Sequence, residues 1–324
     1  MIFEFLRKIY DLIIFFLYTF FKSMIPDSSP KYKEYIDPPI KSQILYPKSD
    51  SLLLEEPNSS SNIIIVINKG IKVEYKGETK TDDDGEEYDK VKILKHKLYD
   101  KEFIGFILRR QLSDNIINEE KNSISIKSKT KIIIEATKIL KSKTGFSRDE
   151  IKRTSGFFNK KYDDKLYFDC SSFCSCILNR IFDFPPHDEN NDKNNIKVWT
   201  TNSFFENIQK KDTIFDIIET VNVQGKCLNL KKLQIGDLIL GRASYINDGV
   251  NHLMLYAGEE YIIHCTRGRY LGIQTNQMRN GVVKEKLNKV NYYTELESLE
   301  NIQNGNITKR FDVEILVLRY KEKR

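Results

Sequence analysis

One cysteine and two histidines carry most of the chemistry this sequence has to offer. Cys170 follows Asp169 in the run Tyr167-Phe168-Asp169-Cys170-Ser171-Ser172-Phe173-Cys174. Aspartate is a strong helix N-cap, so Cys170 is expected in the first turn of the helix that follows. The backbone N–H groups and the dipole of that turn favour negative charge, which predicts a lowered thiol pKa and a nucleophilic thiolate. The same N–H groups suit an oxyanion. Cys170 and Cys174, four apart, would equally suit a helix face turned to the core, and on this segment alone that alternative stays open.

The histidines lie further along. Asn251-His252-Leu253-Met254-Leu255-Tyr256 alternates toward Ala257-Gly258-Glu259, and Glu260-Tyr261-Ile262-Ile263-His264-Cys265 returns from it. A three-residue turn centred on Gly258 predicts a hairpin in which His252 and His264 stand directly opposite each other on one face. A slip of one residue would send the imidazoles to opposite faces, so the register is itself an expectation. A thiol at a helix N-terminus and two neighbouring imidazoles suit a nucleophile, a base and an orienting group.

Other elements must hold these residues in place. Leu233-Gln234-Ile235-Gly236-Asp237-Leu238 reads as a turn feeding a strand, and Lys131 to Lys141 places Ile132, Ala136 and Ile139 at helical spacing. Helices followed by antiparallel strands predict an α+β domain over residues 119–324. Residues 51–118 are β-rich: Ile63 to Ile67, the turn Asn68-Lys69-Gly70, the alternating Ile71 to Tyr75, and later segments ending in Glu102-Phe103-Ile104-Gly105-Phe106-Ile107 predict four or five short strands. Residues 26–50 hold Pro26, Pro30, Pro38, Pro39 and Pro47 and read as a tether. In residues 1–25, basic Arg7 and Lys8 precede the apolar run Ile9 to Phe21, broken only by Asp11. That is the layout of a signal peptide or a membrane anchor, and it predicts entry to the secretory pathway, secreted or membrane-anchored.

Composition narrows the field. The 324 residues are 40% hydrophobic and 30% charged, enough to bury a core and unlike a disordered chain or a polytopic membrane protein. A net charge of +6 over this length does not suggest a dedicated nucleic-acid binder, so no nucleic-acid partner is expected. Five cysteines are too few for a disulfide scaffold and lack zinc-finger spacing, so neither a metal nor another cofactor is expected. Cys174, Cys176 and Cys227 read as core residues or, after export, as disulfide partners, and the pairing of these three and Cys265 stays open. A metal site built from Cys170, His252, His264 and Cys265 is a minor alternative.

With these segments in view, the chain resembles the NlpC-type cysteine peptidases, papain-like endopeptidases of the bacterial cell wall. The family's Asp-Cys-Ser at a helix start is matched by Asp169-Cys170-Ser171. Its Leu-x-x-Gly-Asp-Leu strand entry is matched by Leu233 to Leu238, and its histidine strand and following Ile-His by His252 to Gly258 and Ile263-His264. The likeness runs from about Thr130 to Val282. The family's Tyr-x-Trp-Gly-Gly stretch before the cysteine is replaced by Gly156-Phe157-Phe158, and the glycine after Cys-Ser by Ser172. The order of segments in residues 51–118 loosely resembles a bacterial-type SH3-like small β-barrel, a common partner in that family.

The resemblance implies a papain-like domain with helices packed on an antiparallel sheet, preceded by that barrel and by an N-terminal hydrophobic helix. It implies Cys170 as nucleophile, His252 as general base and His264 as the residue that orients it, with Ser171 lining the oxyanion site and Asp169 capping the helix. The implied substrate is peptidoglycan or its stem-peptide fragments, with a possible membrane contact through residues 1–25. Two alternatives keep the fold: an inert wall-binding scaffold, and a thiol acyltransferase.

Overall fold

Short segments with many β-branched residues build a first sheet within residues 44–113. The computed structural model describes residues 43–99, 101–119, 124–182, 184, 198–222, 229–243, 252–266, 281–287 and 313–322. All of them belong to the unit Lys41–Arg324. The N-terminal segment 1–25, most of the expected tether and Cys227 lie outside the described residues.

Seven strands form the first sheet: β1 (Ile44–Pro47), β2 (Ser51–Leu54), β3 (Ile63–Ile67), β4 (Val73–Thr81), β5 (Glu87–Ile93), β6 (Ile104–Leu108) and β7 (Leu112–Ser113). Their order is β3-β2-β6-β5-β4-β1-β7, with neighbours antiparallel. Four or five strands were expected. The additional ones are very short, and β1 falls inside the proline-containing stretch expected to be tether. It is recruited because Leu45 and Tyr46 bury their side chains while the backbone pairs with β4 and β7.

Helix α1 (Ile126–Leu140) starts five residues before the expected periodic run, where the Ser125 hydroxyl accepts the Ser128 N–H. Glu322 Oε1 also accepts from the Ser128 hydroxyl at 2.6 Å, tying the far end of the chain to this helix start. Two short parallel strands follow, β8 (Thr144–Phe146) and β9 (Leu166–Phe168), then α2 (Cys170–Ile181) and α3 (Thr201–Ile208). The second sheet contains β10 (Phe215–Asn222), β11 (Leu238–Ala243), β12 (His252–Gly258), β13 (Tyr261–Thr266), β14 (Gly281–Lys286) and β15 (Val313–Tyr320). It is antiparallel throughout in the order β10-β15-β11-β12-β13-β14. Helices on such a sheet meet the expectation of an α+β fold.

Helix α1 packs against β3, α2 and β14, while α2 packs against β12 and β13. One hydrophobic core runs from Leu52 and Phe106 of the first sheet through Ile132 of α1 and Phe173 of α2 to Leu253 and Leu255 of the second. The opposite face of the second sheet buries a separate cluster around Ile239, Met254, Tyr256 and Val317.

Two buried ion pairs reinforce this packing, the first across the junction and the second within the second sheet. Lys129 Nζ lies 2.6 Å from Asp50 Oδ2, which also accepts the Ile235 N–H at 3.2 Å. Asp237, of the Leu-x-x-Gly-Asp-Leu segment, receives Arg319 of β15 at 2.7 and 2.8 Å. Burial raises the Asp237 carboxyl, with Arg319 and then the Gln234 N–H opposing it. The turn ahead of it depends on Gly236, whose φ of +97° is strained for any other residue.

Candidate active site

The site begins at the start of α2. Asp169 Oδ1 accepts the Ser172 N–H at 2.6 Å and the Ser171 hydroxyl at 2.8 Å. Ser172 returns a capping-box bond by accepting the Asp169 N–H at 2.9 Å, so serine in place of the family's glycine is part of the helix start. Arg153, which sequence reading did not single out, donates to Asp169 Oδ2 at 3.3 Å and grips Glu150 at 2.6 and 2.8 Å. Upstream, Phe168 lies on Gly156 so closely that a Cβ there would sit 2.0 Å from Cζ. Strand β9, the cap and Cys170 are therefore fixed as one piece.

Three backbone N–H groups, from Leu253, Ser171 and Cys170 itself, act on the Cys170 sulfur. The bond from Leu253 brings the thiol against β12, one residue from His252. Ser171 is buried; its backbone N–H acts on the sulfur while its hydroxyl donates to Asp169.

The expected electrostatics of the thiol are reversed. Cys170 as a residue keeps partial exposure, but the surroundings of the sulfur are dense. Burial is the largest influence and the Asp169 charge adds to it. Together they outweigh the three N–H groups and push the thiol up to about 12. The helix N-terminus favours the thiolate, but it is outweighed here by burial together with the anionic Asp169.

The imidazoles meet, by a different register from the expected one. Leu255 pairs with Ile263 and Tyr256 with Ile262; a bulge at Ala257 then leads to the Gly258–Tyr261 pair. The turn is Glu259-Glu260, with φ of +53° and +67°, rather than Ala257-Gly258-Glu259. This register sets His264 across from Met254 and His252 on the diagonal. The displacement is by two residues, so both rings stay on one face. Nε2 of His252 lies 2.6 Å from Nδ1 of His264, with ring centroids 4.9 Å apart at 79°. Burial, and then His264, hold His252 well below the usual histidine range.

A further residue joins this pair. Nε2 of His264 lies 3.2 Å from Oε2 of Glu285 on β14. Sequence reading missed Glu285 because Lys284-Glu285-Lys286 looks like a solvated strand end. The only available signal was alternation, which places Glu285 and Val283 on the face that β13 uses for Ile262 and His264.

Among the described residues, no group of three or more His, Cys, Asp or Glu is arranged to hold a metal ion, and no helix is long and apolar enough to cross a membrane. Cys174, Cys176 and Cys265 are buried free thiols.

Residues 157–292 match the model of the NlpC/P60 family. No curated protein matches the chain. Among solved structures, NlpC1 from Trichomonas vaginalis is 13% identical with a TM-score of 0.30, over 88% of this chain and 70% of that one. NlpC2 from the same organism gives 12% and 0.28, over 88% and 74%. An NlpC/P60 family protein from Bacillus cereus gives 12% and 0.29, over 87% and 64%. Scores this low carry no argument, and the likeness rests on the matched segment: residues 157–292, which contain Cys170, both histidines and Glu285, are similar to the NlpC/P60 family.

Proposed function

We propose that the protein is a cysteine-dependent amide hydrolase that cleaves peptidoglycan stem peptides, with Cys170 as nucleophile, His252 as general base and His264 as its orienting partner. The observation that carries the reading is the 2.6 Å contact between the two imidazoles, next to the Leu253 N–H that acts on the Cys170 sulfur. The match of residues 157–292 to the NlpC/P60 family supports a cysteine-type peptidase or amidase of cell-wall hydrolysis.

In this reading the resting site is neutral. A thiol pushed up to about 12 and an imidazole held low do not form an ion pair beforehand. Nε2 of His252 is engaged by His264, so Nδ1 takes the thiol proton as sulfur attacks the amide carbonyl. The N–H groups of Cys170 and Ser171 receive the oxyanion, and Nδ1–H passes its proton to the leaving amine. Water, deprotonated at Nδ1, then hydrolyses the thioester and restores the thiol. The γ-D-glutamyl–diamino-acid bond is the proposed target, the first sheet an SH3-like wall-targeting module. Residues 1–25, basic then apolar, are proposed to send the chain into the secretory pathway as a signal or anchor.

One observation favours an inert wall-binding protein of the same fold: the high thiol pKa. Incubating the protein with purified muropeptides and analysing products by mass spectrometry separates the two. Hydrolysis predicts two fragments, one carrying a new amine, and none with Cys170→Ala. Intact muropeptides retained by the protein would establish the inert reading.

A further inference from the structure

We propose that Glu285 is a positioning residue that sets the tautomers of both site imidazoles through its hydrogen bond to His264. This rests on the hydrolase reading and adds a residue to it.

The argument is a chain of donors and acceptors. An ionised carboxylate only accepts, so the 3.2 Å contact requires the proton of His264 to sit on Nε2. A neutral His264 then has a bare Nδ1, which can only accept. At 2.6 Å the proton between the rings must therefore come from His252 Nε2. A neutral His252 protonated there has a bare Nδ1, the lone pair that the thiol needs. Reversing the first link reverses every later one. Without an acceptor beyond His264, its proton can move to Nδ1 and donate to His252 Nε2. That leaves the proton of His252 on Nδ1, where it cannot serve as base. When His252 accepts the thiol proton it carries both N–H groups, and the Glu285 charge, acting through His264, stabilises that cation.

Placement supports the role. His264 is almost wholly buried, whereas Glu285 keeps about a fifth of its side chain exposed, at the solvent end of the relay. The neighbouring cations on β14 are used elsewhere. Lys284 Nζ lies over the Tyr261 ring at 4.4 Å, and Lys286 reaches Glu86 at 3.3 Å. Strand alternation turns both away from the histidine face. His264 is the charge or hydrogen-bond partner of Glu285 among the described residues.

The test combines alkylation of Cys170 by chloroacetamide, located by mass spectrometry, with two-bond ¹H–¹⁵N spectra of histidine-labelled protein. It uses the full chain as wild type, His252→Ala, Glu285→Leu and Glu285→Gln. Wild type is expected to show both rings protonated at Nε2 and an alkylation rate that His252→Ala lowers. Glu285→Leu should scramble the tautomers and slow alkylation roughly 10- to 100-fold, the worth of a hydrogen bond to a charged group. Glu285→Gln should fall between, because its carbonyl accepts the same proton without the charge. If Glu285→Leu does not fold, the near-isosteric Gln variant decides alone. Wild-type tautomers and rate in the folded Glu285 variants would overturn the role of Glu285 and leave the hydrolase reading intact. An alkylation rate unaffected by His252→Ala would instead overturn the hydrolase reading.

Discussion

Replacing Asp169 with asparagine should make Cys170 more reactive. Asparagine caps helices about as well as aspartate, so the Ser172 N–H keeps an acceptor and α2 keeps its start. The variant loses the negative charge that is the second-largest influence raising the thiol. For unit charges roughly 6 Å apart at an effective dielectric constant of about 20, Coulomb's law gives ~3 kcal/mol, or about two pKa units. Arg153, 3.3 Å from Asp169 Oδ2, already offsets part of that charge, so a fall of about one unit is the safer expectation.

Below the thiol pKa, each unit of lowering raises the thiolate fraction tenfold, while the weaker nucleophile loses roughly a factor of 3. The net expectation is about 3- to 4-fold faster alkylation at pH 8–9, approaching tenfold if the full Coulomb term is felt. The assay is a pH–rate profile for iodoacetamide, with the adduct located by mass spectrometry and a thermal melt confirming the fold. A rate equal to or below wild type in folded Asp169→Asn would refute the argument that the Asp169 charge adds to burial in raising this thiol.

Two further expectations concern stability. Arg319→Met strands the Asp237 carboxylate in the core and should cost roughly 3–5 kcal/mol, lowering Tm on the order of 10 °C; a melt within about 2 °C of wild type would show that the pair contributes little. Glu259 is raised above its ordinary value, chiefly by burial, with Lys284 opposing. A raised acid stabilises the fold fully below its unfolded pKa and loses that contribution as pH rises through the folded value. Glu259→Gln should therefore melt higher than wild type at pH 7.5, and the gap should close toward pH 4.5; a gap independent of pH would contradict this.

What the sequence revealed and what it hid have physical reasons. An aspartate before a cysteine and an apolar run is a local signal, and Asp169 does cap α2. The facing of His252 and His264 was legible because the strand period is two, so an error of two residues in register kept both rings on one face. The turn itself was hidden. Glutamate seldom adopts positive φ, and nothing local marks Glu259-Glu260 as a left-handed pair or Ala257 as a bulge. The direction of the thiol shift was hidden too, since it depends on how densely β12 and its neighbours pack over the sulfur. Glu285 reaches His264 only through the pairing of β13 with β14, with a lysine on either side of it in the chain.

The salt link from Asp50 to Lys129 has an evolutionary consequence. Its acid lies between β1 and β2, its base on α1, and the same carboxylate holds the Ile235 N–H ahead of β11. Modules joined by a linker can be shuffled by recombination, each carrying its own stability. This β-rich segment cannot be exchanged in that way, because a crossover after residue 118 would separate a buried acid from its base and divide one core between two ancestries. The two halves are bound to change together, and a substitution that tunes one becomes a constraint on the other.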